Sequence, residues 1–192
     1  MNIFALDTDW ALAAQSQCDK HVVKMILESA QMLCTAKRML DVKELKPTEE
    51  EKLYRATHTN HPCSKWARET SGNYRWLYRH FCSLCDEYTH RYERVHATDE
   101  LLRDLLLQPP RNIERNGKTV RPLAMPKVFH SSDPILSYRH YYRYKQAWVD
   151  MHWTGRDRPD WLQPKPSNLE YARYDGLHKY SISELTNMYN EN

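Results

Sequence analysis

The sequence predicts a mainly α-helical fold: one compact helical domain with long loops and a C-terminal tail that wraps around it. Three observations lead there. Apolar residues recur at helical spacing over several long stretches, capping signatures mark where those stretches begin, and prolines gather between them. A length of 192 residues suits one domain with an extension and is enough to bury a core. The division falls at 153, with residues 1–153 as the helical core and 154–192 as a proline-containing extension packed on it.

The first helical stretch starts after Asp7-Thr8 and runs almost without a breaker to Leu40, as one helix or as two joined near Cys18-Asp19. A turn of about 100° per residue puts Val22, Val23, Ile26, Ala30 and Leu33 on one apolar face. Gln17, His21, Lys24, Glu28, Gln31 and Thr35 then form a continuous polar stripe opposite. Thr48 to Glu51 has the capping-box pattern and starts a short helix through about Ala56, after which His58 to Pro62 reads as a loop. Helix resumes from Pro62 to Glu69, breaks at Ser71-Gly72, and continues to about Arg94 with Trp76, Leu77, Phe81, Leu84 and Tyr88 at helical spacing. Thr98 caps a further helix that Pro109-Pro110 stops, and residues 111–132 form a loop of a length that is often functional. Asp133-Pro134 is an N-cap with proline in the first turn, launching a helix to about His152. In the tail, Ser181 to Glu184 is a late capping box for a short final helix.

Composition narrows the class. Apolar residues at 41% and charged residues at 28% are near the globular norm, which excludes disorder along the whole chain. The opening Met-Asn-Ile-Phe-Ala-Leu has no basic leader, and no stretch approaches the roughly 18 apolar residues of a membrane span. A cytoplasmic protein is expected. Five cysteines, an odd number, read as free thiols rather than a disulfide framework. The net charge of +3 is modest, but 10 His, 13 Tyr and 6 Trp accompany the Lys and Arg, a mixture suited to nucleic acid. A Walker loop, a dinucleotide fingerprint and a nucleophile elbow are all missing, which argues against P-loop, Rossmann and α/β-hydrolase chemistry.

The most informative stretch is Cys18-Asp19-Lys20-His21-Val22-Val23-Lys24-Met25-Ile26-Leu27-Glu28. Spacings of three, four and seven bring His21, Lys24 and Glu28 to one helix face, so an acid/base group, a cation and a carboxylate line up over two turns. The bland reading is a solvated face with a Lys24–Glu28 ion pair. Gln17, Gln31 and Thr35 weigh against it, because they continue the stripe where Lys and Glu are the usual solvent-facing choices. His58 and His61 lie in the following loop, where they are read as contacts to a phosphate or an extruded base. Two histidines define neither ligand number nor geometry, so no metal or other cofactor is expected. Cys82-x-x-Cys85 lies within a helix and reads as packing. From Tyr138 to Lys145 cations alternate with aromatics, followed by Trp148 and Trp153, so that Arg139, Arg143 and Lys145 are the candidate phosphate contacts. Tyr142 and Trp148 are expected to be buried, while Arg111, Arg115, Lys118 and Arg121 in the long loop extend the cationic surface or are simply solvated.

Asp-x-His followed seven residues later by Glu, on a helix near the N-terminus, resembles the pyrimidine-dimer DNA glycosylases of T-even-type phages, the endonuclease V type. His61-Pro62 leading through Trp66 into a long charged helix, and a late Trp/Tyr/Lys-rich helix, are similar to parts of the same family. The chain also resembles, over most of its length, a group of tailed-phage proteins of unassigned activity that begin Met-Asn-Ile-Phe and share Asp-Lys-His-Val-Val-Lys-Met. The first resemblance implies DNA as partner and a DNA N-glycosylase, with or without AP-lyase activity, acting on a modified or damaged base. It puts Glu28 in the place of the catalytic carboxylate and His21 in that of the active-site histidine. The nucleophile is then an amine, the Met1 terminus, since Asn2 is a poor context for methionine removal, or Lys20 or Lys24; if none of these serves, Glu28 activates water instead. Leu27 and Gln31 stand where the family carries arginines that grip the lesion strand, so the lesion itself is not implied. Two other classes compete: a non-enzymatic nucleic-acid-binding phage accessory protein, and a metal-dependent nuclease using His21, Glu28, His58 and His61.

Overall fold

Helices begin where a side chain satisfies the first free backbone N–H groups. In the computed structural model, which describes residues 1–146 and 149–162, the Asp9 carboxylate accepts from the N–H groups of Ala11 and Leu12 and opens α1 (Trp10–Gln15). A short break leads to α2 (Asp19–Leu40), so the first stretch is two helices joined near Cys18. The short helix α3 (Pro47–Lys52) begins ahead of Thr48, because Pro47 suits the first turn, and ends before Ala56, where Leu53 turns to extended backbone. The His61 ring caps α4 (Pro62–Glu69), its Nδ1 accepting from the Cys63 N–H at 3.2 Å. The Thr70 hydroxyl caps α5 (Ser71–Tyr92) by accepting from the Asn73 N–H, so the break falls at Thr70 and Ser71-Gly72 are helical. His96, and not Thr98, caps α6 (Ala97–Leu106).

The long loop that follows contains one 3-10 turn, Lys127–Phe129. Asp133 caps α7 (Pro134–Lys145), as the sequence predicts. The helix nevertheless stops at Lys145 rather than His152: the backbone and side-chain N–H groups of Gln146 both turn back to the Arg143 carbonyl and close the last turn. Trp148, the Ser181–Glu184 capping box and most of the 154–192 extension lie outside the described residues.

Among the described residues there are seven α-helices and no strand, with one isolated bridge between Thr70 and Glu114. They form one compact domain. The centre is α2 against α5; α4 and α6 pack on both, and α1 packs on α5. None of the described helices is long and apolar enough to cross a membrane. All five cysteines are free thiols, four of them buried, with Cys82 partly covered on α5.

The polar stripe of α2 departs from expectation. Val22, Ile26, Ala30 and Leu33 are buried as predicted, yet Val23 is 39% exposed while His21, Glu28 and Thr35 are buried. Thr35 is covered by the loop at Thr57, whose carbonyl accepts from its hydroxyl and whose N–H donates to it; for His21 and Glu28 the cause is the segment before α1. Ile3, Phe4, Ala5 and Leu6 are all in the core, and the Phe4 ring lies 4.8 Å from that of His21. The N-terminal segment thus covers part of the helix face that the periodicity assigns to solvent.

A buried polar corner ties residues 153–156 to α2, α5 and the end of α1. The Arg91 side chain, fully buried on α5, donates to Glu87, to Asp19 at the start of α2, and to the Gln15 carbonyl at the end of α1. Arg156 donates to the same Glu87, Thr154 donates to Asp19, and the Trp153 indole N–H donates to the Ser16 carbonyl. Residues 153–156 are thereby packed on the helical core.

Candidate active site

The chain terminus, α2, the start of α4, residues 123–125 and α7 enclose a cavity of about 440 Å³. Such a volume accepts a group the size of a nucleotide base and sugar. Met1, His21, Lys24, Glu28, His61 and Lys145, scattered in sequence, all line it.

Glu28 is the centre of this group. Its Oε2 accepts the Asn2 N–H at 2.8 Å and lies 4.0 Å from the Met1 α-amine, while Oε1 lies 3.5 Å from the Lys24 ammonium one helical turn away. The amine is held in place by its neighbours. The Asn2 side-chain amide donates to the Ala124 carbonyl at 2.8 Å, its Oδ1 accepts the Ile3 N–H at 2.7 Å, and the residues after it are core. The Met1 side chain itself is only 1% exposed. A carboxylate and an amine therefore share one wall of the cavity, both on firmly anchored backbone.

His21 is a neutral ring in the cavity wall. Burial, with Lys145 and Lys24 nearby, pushes its pKa down to about 3, so the ring is neutral near pH 7. Its Nδ1 lies 2.8 Å from the Tyr142 hydroxyl, which also accepts the Cys18 N–H at 2.7 Å. With the phenol oxygen already accepting, the phenol proton is directed to Nδ1; the other nearby acceptor, the Cys18 sulfur, is a weak one. This arrangement favours Nδ1 as the acceptor with the hydrogen on Nε2, and the neutral ring lines the cavity.

Lys145 is buried in the cavity wall, its ammonium 5.6 Å from the Phe4 ring centre and 5.2 Å from that of Tyr141. Burial first, and the Lys24 charge second, pull its pKa down to about 8. His61 lines the rim, and its pKa is lowered by burial, the terminal amine and His58, against the pull of Glu28.

The remaining candidates lie elsewhere. His58 is exposed, at φ +48°, with its ring against the Thr57 hydroxyl at 2.8 Å, and it does not line the cavity. Arg139 donates to the Leu6 carbonyl and pairs with Asp7 at 3.0 Å, clamping the end of the N-terminal segment. Arg143 lies on α7 away from the cavity lining. Among the described residues no three His, Cys, Asp or Glu side chains are grouped to hold a metal ion.

Asn2, Phe4, Tyr142 and the 123–125 segment were not legible as site residues from sequence. Periodicity reports only on α2 itself, and the contacts that matter here span 26 to 122 positions. No curated protein and no solved structure matches the chain. Residues 1–100, more than half of the 192, match the profile of one family, and that span contains the Met1, His21, Lys24, Glu28 and His61 arrangement. The chain belongs to the pyrimidine dimer DNA glycosylase family.

Proposed function

We propose that the protein is a DNA N-glycosylase with associated AP-lyase activity, acting on a modified or damaged base through the Met1 α-amine and Glu28. The observation that supports this most directly is the amine–carboxylate pair, 4.0 Å apart on the wall of a cavity large enough for an extruded nucleotide.

The deprotonated amine attacks C1′ of the sugar. An N–C1′ bond forms as the C1′–base bond breaks, its electron pair leaving with the base, which gains a proton. The amine nitrogen then loses a proton while the C1′–O4′ bond opens and O4′ is protonated, leaving an imine at C1′. Loss of a C2′ proton expels the 3′-phosphate and cleaves the strand, and water finally releases the amine.

Glu28 stabilises the cationic sugar of the first step and accepts protons in the later ones. The His21 Nε2–H donates to an oxygen of the target nucleotide. Lys24 and Lys145 supply positive charge for its phosphates, and Lys24 is the alternative amine.

The test is borohydride trapping on a duplex with one pyrimidine dimer, alongside duplexes with other damaged bases and an undamaged control. Hydride reduces the imine to a stable secondary amine, so a protein–DNA adduct should appear with the substrate and vanish when the α-amine is acetylated. Persistence of the adduct in the acetylated protein, with loss in Lys24→Ala, would transfer the nucleophile to Lys24. Base release without any adduct would leave Glu28 activating water.

A further inference from the structure

Arg121 is a buried cation with no anion. The residue is 9% exposed, and its guanidinium stacks over the Trp76 ring at 4.2 Å. Among the described residues it has no ion pair, and its Nη1 is buried without a hydrogen-bond partner, as is the Trp76 indole nitrogen. Lys118 places a second ammonium 5.8 Å from the same ring. A charged group so placed is costly unless something pairs with it.

The surroundings are built rather than loose. The Thr119 backbone N–H donates to the Asn73 side chain at 2.8 Å and the Thr119 hydroxyl to Glu69 at 2.9 Å, so that carboxylate is engaged there. Thr70 and Gly72 hold the preceding loop through the Gly117 and Asn116 carbonyls, and a Cβ on Gly72 would come within 2.4 Å of that loop. Beyond Arg121, the Tyr138 hydroxyl holds the Pro122 carbonyl at 2.9 Å and Asn2 holds that of Ala124. A cavity of about 230 Å³ opens between Lys118, Arg121 and Pro134.

The same stretch of chain continues into the catalytic cavity, which Leu123 to Met125 line. Two to three residues of chain reach at most about 7 to 11 Å, a distance that covers two or three phosphates along one DNA strand.

We infer that Lys118 and Arg121 form a phosphate subsite that holds a backbone phosphate of the strand whose nucleotide enters the catalytic cavity. This rests on the glycosylase reading for the identity of the strand; the anion site itself stands on the buried, unpaired guanidinium.

The test is a scan of single neutral methylphosphonate linkages around one pyrimidine dimer in a duplex. With the wild-type protein, one linkage within about three nucleotides of the dimer should weaken binding roughly tenfold, the loss expected for a charge-assisted hydrogen bond. In Lys118→Ala and Arg121→Gln that penalty should shrink to about twofold, and each variant should lower the salt slope by about one phosphate. Lys118 is exposed, so its variant removes no packing; Arg121→Lys, which keeps the cation, should retain the penalty and so exclude misfolding as the cause. A penalty identical in wild type and both charge-removing variants overturns the subsite. A flat scan together with inorganic phosphate perturbing Arg121 signals in NMR also overturns it, assigning the pocket to free phosphate. Base release measured on the same duplex and on the duplexes with other damaged bases separates the two ideas. Release without coupling sinks the subsite alone, and coupling with no release on any of these duplexes sinks the glycosylase reading alone.

Discussion

At the scale of single residues, Glu28 and Tyr142 separate chemistry from orientation. Glu28→Gln keeps the shape and can still accept the Asn2 N–H, but it cannot stabilise positive charge at C1′ or accept a proton. Base release should fall by about 10²–10⁴-fold, with circular dichroism and DNA affinity nearly unchanged; full activity in that variant would remove Glu28 from the mechanism. Tyr142→Phe acts at a distance from the substrate. It leaves the buried Cys18 N–H without its acceptor, at a cost of about 1–3 kcal/mol, and frees His21 to exchange tautomers. Nitrogen-15 NMR of the imidazole should show Nδ1 unprotonated in the wild type and a mixed population in the variant. An Nδ1-protonated ring in the wild type would show that the phenol does not set the tautomer.

At the scale of elements, the aromatic and basic helix α7 has a structural role besides the nucleic-acid contact that its composition suggests. Tyr138, Tyr141, Tyr142 and Tyr144 are buried, Lys145 lies in the cavity wall, and Arg139 anchors the N-terminal segment through Leu6 and Asp7. The helix thus holds the terminal segment, with its α-amine, against α2. The junction of α1, α2 and α5 depends similarly on Arg91, which serves three partners from a fully buried position. Arg91→Ala strands Glu87 and Asp19 with fewer partners, and urea unfolding should show a loss of about 3–5 kcal/mol. Arg91→Lys should recover only part of it, because an ammonium lacks the planar fork that reaches all three groups. A loss below about 1 kcal/mol for the alanine variant, the range of an exposed pair, would mean that Arg156 and Thr154 are sufficient to hold the corner.

At the scale of the whole molecule, two neutral buried histidines make the fold sensitive to acid. Burial lowers His21 to about 3 and His80 to about 4, both from 6.5. His80 Nε2 accepts from the Gln17 amide and Nδ1 donates to the Trp10 carbonyl, so neither nitrogen is ready for a second proton. Between these values and pH 6.5 the unfolded chain binds protons that the folded chain refuses. Stability should therefore be full above about pH 7 and decline as the pH falls toward 4. The decline amounts to several kcal/mol in all, because each histidine costs about 1.4 kcal/mol for every pH step of one over which only the unfolded chain holds its proton. Urea midpoints measured at pH 7.5, 6 and 5 check this, and an unchanged midpoint at pH 5 would contradict it. Strong reductant, by contrast, should leave the helical spectrum and the midpoint unaltered, since all five thiols are free.

The sequence by itself determined the helical class, most helix starts and the alignment of His21, Lys24 and Glu28, because caps and the 3.6-residue period are local properties that neighbours in the chain express. It misplaced Val23 and overran α7 for the same reason: a period says which residues share a face, not what covers that face or where a side chain closes the last turn. Only the tertiary structure decided that His21 and Glu28 are buried beneath residues 1–6, that the His21 ring is neutral beside the Tyr142 hydroxyl, and that the Met1 amine stands 4.0 Å from Glu28. Each of these is a contact between positions far apart in sequence, and burial, which decides charge state and hydrogen-bond direction, exists only once those positions are brought together.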